Sequence, residues 1–326
     1  MNIAITGATG FLGSHLANKL MDAGHTVFAH ARDEAKAQQL QGKVAKLVIC
    51  DITDEAKIQE LVKDAEIVIH TVSNFRTASG PPASYKSINY DGTVNVFNAA
   101  KNARVKRFIH CSTIGVLGNI KECPADENTP YNPGDLYQQT KLDAELYVRD
   151  QVGKSDMEVV VIRPCSMYGP GDMRMLKMFK MLVNRTFLMI GPCVENFHAI
   201  YIDDIVNGFI KAMEIPGIDG EVFIVGGDKY VPLHEYISLA ANAVGAPMPW
   251  LKFPYWLFYA AAVVIEAICV PLRIEPPLHR RRVRFYKNNR AFNITKAHEK
   301  LQFKANVDME AGMAKAVEWY RQNGYL

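Results

Sequence analysis

Tyr137 and Lys141, four apart in the run YQQTK, are the residues best spaced to move a proton together. On a helix that spacing puts them on one face, about a turn apart. A lysine ammonium there favours the phenolate and brings a phenol, ordinarily near pKa ~10, toward working pH, so that tyrosine can act as acid or base. The same spacing is common on exposed helices, where the lysine merely snorkels. Here the pair has company. Ser112 and Thr113 follow the apolar run Arg107 to Cys111, which predicts a strand, and a Thr113 hydroxyl would hold a substrate oxygen against Tyr137 much as an oxyanion donor does. Ser112 is the neighbouring alternative.

A second set lies at the start of the chain. An apolar strand, Met1 to Thr6, runs into TGATGFLG, Thr6 to Gly13, and then a helical pattern from Ser14 to Met21. Gly7 suits a backbone angle other residues resist, Gly10 lets the chain approach a pyrophosphate, and Gly13 lets helix pack on strand. Thr9, Phe11 and Leu12 share that turn, where backbone N–H groups and the positive helix end face phosphate. An ordinary strand-to-helix turn would also use glycines. The strand that follows, His25 to Ala29 after Gly24, completes the βαβ unit a dinucleotide site requires.

A parallel sheet would bring the two sets together. Further strands are expected at Ala45 to Ile49, at Ile67 to Val72 and in the segment that leaves the sheet at RPCSMYGPGD, with helices over Glu55 to Lys63 and Tyr85 to Lys101. Ligands bind outside the carboxyl ends of such strands, so Thr71, Val72 and Ser73 should line a cofactor, while Asp51 and Ile52 suit an adenine amino group and its flat face. Ser79 to Pro82 reads as a turn. After the second strand comes Ala31-Arg32-Asp33. An arginine there can pair with a 2′-phosphate, so NADP(H) is the expected cofactor. NAD(H) is the alternative, with Arg32 solvated or stacked on adenine beside Asp33.

Composition limits the function classes. The chain has 326 residues, a net charge of +3 and 22% charged residues, which implies neither nucleic acid nor an acidic partner. Its six cysteines form no CxxC pair and read as reduced thiols. Because the first strand opens the chain, with no pattern of a signal peptide, cytoplasm is the expected location. Histidines are scattered, HExxH is absent, and the Met-rich run Met173 to Met189 reads as core or pocket wall, so no metal is expected. No base-plus-orienter accompanies Cys165, which argues against a nucleophile.

Trp250 to Leu272 is the most individual stretch. Its apolar run falls short of the ~20 residues a membrane span needs, and Glu266 interrupts it. Arg280, Arg281, Arg282 and Arg284 follow and would suit anionic lipid. A helix roofing a substrate pocket and a monotopic helix giving peripheral membrane contact through 254–284 are both open.

Taken in order, these motifs resemble the extended short-chain dehydrogenase/reductase superfamily, of the NAD-dependent epimerase/dehydratase type. The likeness runs from TGATGFLG through CDITD, NYDGTVNVFNAA at Asn89 to Ala100, RFIHCSTIGVLG at Arg107 to Gly118 and YQQTK, to VIRPCSMYGPGD at Val161 to Asp172 and HAIYIDDIVNG at His198 to Gly208. It implies Tyr137 as acid/base, Lys141 as its partner and ribose ligand, and Thr113 in the Ser/Thr position. It further implies Arg163 as structural, Pro164 and Cys165 near the nicotinamide, and Ser166 and Met167 on the substrate side. Asp203 and Asp204 become structural, capping the helix after them. Leu117 stands where many relatives have tyrosine, and that substrate contact is not carried over.

The implied fold class is α/β: a Rossmann-type doubly wound parallel sheet, 1–165 and 199–227, with a smaller, mostly C-terminal substrate-binding lobe, 166–198 and 228–326. A homodimer is the expected assembly. The C-terminal half, with NRAFNITKAHEKLQF and VEWYRQNGYL, looks like the 3β-hydroxysteroid and sterol dehydrogenase branch, with dihydroflavonol reductases as further relatives. The expectation is an oxidoreductase interconverting a secondary alcohol and a ketone on a hydrophobic, sterol- or lipid-like small molecule. The alternatives are a nucleotide-sugar epimerase or dehydratase, whose diphosphate could meet Arg174, Lys177, Asn196 and Arg282, and a non-catalytic dinucleotide sensor. Met and aromatic walls beside Tyr137 would favour lipid; a basic cradle would favour sugar.

Overall fold

Seven strands, all parallel, form the central sheet: β1 (Asn2–Thr6), β2 (Thr26–Ala31), β3 (Lys46–Ile49), β4 (Ile67–His70), β5 (Arg107–Cys111), β6 (Glu158–Pro164) and an edge strand, Val222–Val225. This computed structural model describes residues 1–75, 82–269, 272, 274 and 276–326, so most of the expected Ser79 to Pro82 turn lies outside the described residues. The spatial order runs from the edge strand through β6, β5, β4, β1 and β2 to β3. The order reverses between β1 and β4, where a crevice opens beyond the strand ends.

Both faces of the sheet are buried, which is why the strands read as continuous apolar runs. Ile3, Ile5, Ile67, Ile69 and Ile109 pack into one core, and the alternating Ala4, Val68 and Phe108 into the other. Most expected elements stand within a residue or two of their bounds. The glycine-loop helix starts earlier, as Phe11–Asp22 with Gly10 as N-cap. The expected helix over Tyr85 to Lys101 is interrupted: a π-helical turn, Lys86–Asp91, separates Ala83–Tyr85 from Gly92–Asn102. At Gly92 a Cβ would sit 2.6 Å from the Ile52 side chain, so glycine there lets the helix meet the strand end.

Beyond β6 the chain builds three short strand pairs and the helices Met173–Val183, Leu233–Val244, Tyr255–Cys269 and Met309–Gln322. Asp203 and Asp204 do not cap by side-chain hydrogen bonds, contrary to expectation: the N-cap of Ile202–Glu214 is Tyr201. Asp204 instead accepts the backbone N–H groups of Asn306 (2.9 Å) and Val307 (3.1 Å), a structural role of a different kind. Tyr320 donates to the carbonyl of Asp172, and Arg321 to that of Val244.

The helix Tyr255–Cys269 buries only Ala262. As a roof it contributes Tyr255 and Glu266 to a cavity wall, while Trp256 is 69% exposed. No helix among the described residues is long and apolar enough to cross a membrane.

Candidate functional site

The glycine loop is shaped by contacts a side chain would destroy. Gly7 has φ +75°, a region that favours glycine, and a Cβ at Gly13 would lie 2.1 Å from the Gly7 carbonyl oxygen. At Gly10 the nearest contact of such a Cβ is that same oxygen, at 3.2 Å. The open backbone of the loop and the N-terminus of Phe11–Asp22 form a cradle into which a pyrophosphate fits.

A cavity of about 1350 Å³ leads from this cradle past the ends of β4, β5 and β6 into the lobe. It gathers Gly7, Gly10, Phe11, Leu12 and Gly13 from the loop, and Thr71 and Ser73 after β4. Ser112, Thr113, Tyr137 and Lys141 line its middle, with Pro164, Cys165, Ser166 and Met167 opposite. Thr9, Arg32, Asp51, Ile52 and Val72 are not among its lining residues. Arg32 is exposed just beyond β2, Asp33 caps the next helix through the N–H of Lys36, and Asp51 accepts from Thr53. Val72 lies under Gly7.

Asp135 caps the helix Leu136–Asp150, which carries Tyr137, Lys141 and Glu145 at successive i+4 positions. Lys141 is 1% exposed, and its ammonium donates to the Cys111 carbonyl at 2.7 Å. Burial holds its pKa below the ordinary lysine value, partly offset by Cys111 and Glu145. Glu145 forms a buried ion pair with Arg163 (2.6 Å) and accepts the Ser112 hydroxyl at 2.6 Å. Ser112 is thereby committed to the protein, although it lines the cavity. Arg163 also donates to Tyr131 and the Glu127 carbonyl, which bears out its structural reading. Thr113 caps the short turn Ile114–Leu117, accepting from the Gly115 N–H at 3.0 Å. That bond uses a lone pair and leaves the hydroxyl proton available to a ligand. Burial pushes the Cys165 thiol well above its ordinary value, as an inert thiol requires.

A chain of buried polar groups joins the cradle to the tyrosine. Thr6 accepts from the Thr71 N–H and lies 2.7 Å from His70 Nδ1; His70 Nε2 is 2.9 Å from Thr93, which donates to the Asn89 carbonyl. Since Thr93 spends its proton there, His70 donates from Nε2 and Thr6 donates to Nδ1. The Asn89 side chain then donates to Thr140, whose hydroxyl bonds the carbonyls of Leu136 and Tyr137. Sequence reasoning singled out neither this chain nor Glu145. The i+4 step from Lys141 was a signal for Glu145; the hydrogen-bond chain crosses five elements and has none.

Farther in, the walls divide. Met167, Met175, Met178, Phe197 and Tyr236 form an apolar side. Arg174 lines the cavity too, paired with Asp172 and lying 5.4 Å from the ring centres of both Phe11 and Phe75. Arg280, Arg284, Lys287 and Arg290 stand at the far end, whereas Lys177, Asn196 and Arg282 do not line it. Leu117 is packed in the core. No cluster of three or more ligating side chains able to hold a metal is present among the described residues.

A model of the NAD dependent epimerase/dehydratase family matches residues 3–226. Among curated proteins, the decarboxylating sterol-4-alpha-carboxylate 3-dehydrogenase of Schizosaccharomyces pombe is 27% identical, covering 98% of this chain and 97% of its own. A 3-beta-hydroxysteroid dehydrogenase of Mycolicibacterium neoaurum is 26% identical over 98% of this chain and 91% of its own. A UDP-glucose 4-epimerase of Mycolicibacterium smegmatis is 28% identical over 98% and 99%. In fold, the UDP-glucose 4-epimerase of Thermotoga maritima, solved with UDP-glucose, superposes with a TM-score of 0.80 at 23% identity, covering 99% of each chain.

Proposed function

Because the chain belongs to the NAD dependent epimerase/dehydratase family, and is an enzyme of that extended short-chain dehydrogenase/reductase type, we propose that it interconverts a secondary alcohol and a ketone on a hydrophobic, sterol- or lipid-like substrate. The observation that carries this reading is the meeting of Thr113, Tyr137 and Lys141 in one cavity with methionine and aromatic walls beyond them. In this reading 1–165 and 199–227 hold the dinucleotide, and 166–198 with 228–326 hold the substrate.

The glycine cradle takes the diphosphate, Thr71, Ser73, Pro164 and Cys165 flank the rest of the cofactor, and Asp51 and Ile52 meet its adenine. A nicotinamide held there would supply the hydride acceptor and donor. Thr113 donates its free proton to the substrate oxygen and fixes it beside Tyr137. Tyr137 takes the proton of the alcohol in one direction and gives it back in the other. One N–H of Lys141 is spent on Cys111, which leaves two for a ribose and for the oxyanion on Tyr137. Ser166 and Met167 hold the substrate side. Arg32 beyond β2 supports NADP(H) over NAD(H).

Peripheral membrane contact through 254–284 on the cytoplasmic side belongs to the same reading, supported by the exposed apolar residues of Tyr255–Cys269 and by six free cysteines. A homodimer belongs to it as well.

A nucleotide-sugar epimerase or dehydratase is the second reading, favoured by Arg174 and Arg290 on the cavity wall. Assays following nicotinamide absorbance with a 3β-hydroxysteroid and with UDP-glucose, each with both cofactors, separate the two. Tyr137→Phe should lower turnover by roughly 10²–10⁴ while cofactor still binds. Near-normal turnover in that variant would overturn the mechanism.

A further inference from the structure

Resting on the reading of a hydrophobic substrate, we propose that the cavity is fed from a lipid bilayer: the helix Tyr255–Cys269 lies in the interface of an anionic membrane, and the mouth it frames opens into the lipid. Trp256, Leu257, Val263, Val264 and Ile268 are all exposed, the last two at 57% each. They stand at i, i+1, i+7, i+8 and i+12, one continuous stripe at helical period. Isolated exposed apolar residues are ordinary, but a stripe of this kind marks a surface that something covers.

The other side of the same helix faces the cavity. Tyr255 and Glu266 line it, and Glu266, the helix's single charged residue, is held by Arg280 at 2.5 Å. Arg284 and Lys287 line the cavity too and lie over the rings of Tyr259 and Tyr255, at 5.8 and 5.0 Å. The helix is therefore the wall, one helix diameter or ~10 Å thick, between the cavity and the bare stripe. A molecule leaving an acyl layer beside the stripe would reach the cavity along the seam where this helix meets the basic segment, once the Glu266–Arg280 pair gives way.

Charge selects the occupant. Between Pro276 and Ile294 the chain carries six arginines and lysines and no acid. A second copy docked two-fold on this face would bring those cations against their own counterparts. Anionic headgroups complement them instead, with the stripe in the acyl boundary. At a rise of ~1.5 Å per residue the helix spans less than the ~30 Å hydrocarbon core, so it lies in the plane.

The test uses the full chain and vesicles of phosphatidylglycerol with phosphatidylcholine. Acyl-brominated lipid should quench tryptophan fluorescence, and in a Trp250→Phe background, which removes the other exposed tryptophan, Trp256→Phe should remove most of that quenching, since Trp319 packs against Tyr320 and Tyr325 elsewhere. Amide exchange should slow on vesicle binding both in Tyr255–Cys269 and in Phe285–Lys287 at the mouth. Val264→Asp should weaken vesicle binding at least tenfold with thermal unfolding unchanged. No quenching at low salt overturns the proposal. So does slowing in the helix with none at the mouth, or a concentration-dependent dimer that Val264→Asp dissolves. None of these readouts uses turnover, so loss of the Tyr137 chemistry and loss of the membrane route are seen separately.

Discussion

At the sheet end of the cavity Lys141, Glu145 and Arg163 are buried and bonded to one another's neighbours, whereas at the far end the helix Tyr255–Cys269 buries a single alanine and shows its apolar stripe to solvent. The two ends spend the same kinds of residue differently. Near the sheet, apolar side chains fill both faces and hold polar groups at fixed distances, as an acid/base step requires. Near the helix they are left uncovered, and the local stability of the fold gains little from them. Reaction chemistry is thus read from what is buried, and the nature of the partner from what is not.

Core truncation is the strongest way to break that contrast. Phe108, fully buried against Phe97, should cost about 3–5 kcal/mol when replaced by alanine. Ile268→Ser, on the stripe, should stay within about 0.5 kcal/mol, since an exposed side chain has no cavity to leave. Denaturant midpoints decide it, and equal losses would mean that the stripe is covered in solution.

Arg32 sharpens the contrast as an exposed residue at the buried end. Arg32→Ala should weaken NADP(H) binding by roughly ten- to a hundredfold, the worth of a charge-assisted hydrogen bond, and NAD(H) much less. Equal losses in a fluorescence titration would show that it does not read the 2′-position.

The smallest effect is expected at His110, buried against His70 with neither ring nitrogen hydrogen-bonded. Burial, then Lys141, then His70, hold its pKa well below the ordinary value. The unfolded chain takes up a proton as pH falls below ~6.5, while the folded chain resists, so this histidine lowers stability progressively below that pH. His110→Leu removes the orphaned polar atoms and should be neutral or stabilising by about 1 kcal/mol at pH 7.5, with a shallower loss toward pH 5.5. A steeper acid loss in the variant would contradict this account.

Continuous apolar runs and helical patterns carried most of the sheet and most of the helices around it, because the sheet is buried on both faces and several helices carry an aspartate cap, as at Asp54 and Asp135. Spacing, motif order and family resemblance singled out Thr113, Tyr137 and Lys141, which line one cavity with the glycine loop. It was blind where the geometry depends on contacts across the chain. The π-turn at Lys86–Asp91 leaves no trace in periodicity, and the bonds from Asp204 to Asn306 and Val307 turned an apparent helix cap into a distant anchor. Arg282 and Lys177 show the limit of reading charge alone, since each lies near cavity residues in sequence order but does not line the cavity.

Those bonds from Asp204 also bear on how the chain is made. The carboxylate that waits on the helix after residue 201 finds its N–H donors only in residues that leave the ribosome about a hundred positions later. Gly208 likewise awaits Phe303, and Asp172 awaits Tyr320. A nascent chain holding every strand of the sheet therefore still carries a buried acid without partners and an open seam along its last helix. Completion comes only once residues 303 to 320 are made, and a chain stopped at 300 should stay bound to folding helpers, however intact its glycine loop and its tyrosine helix.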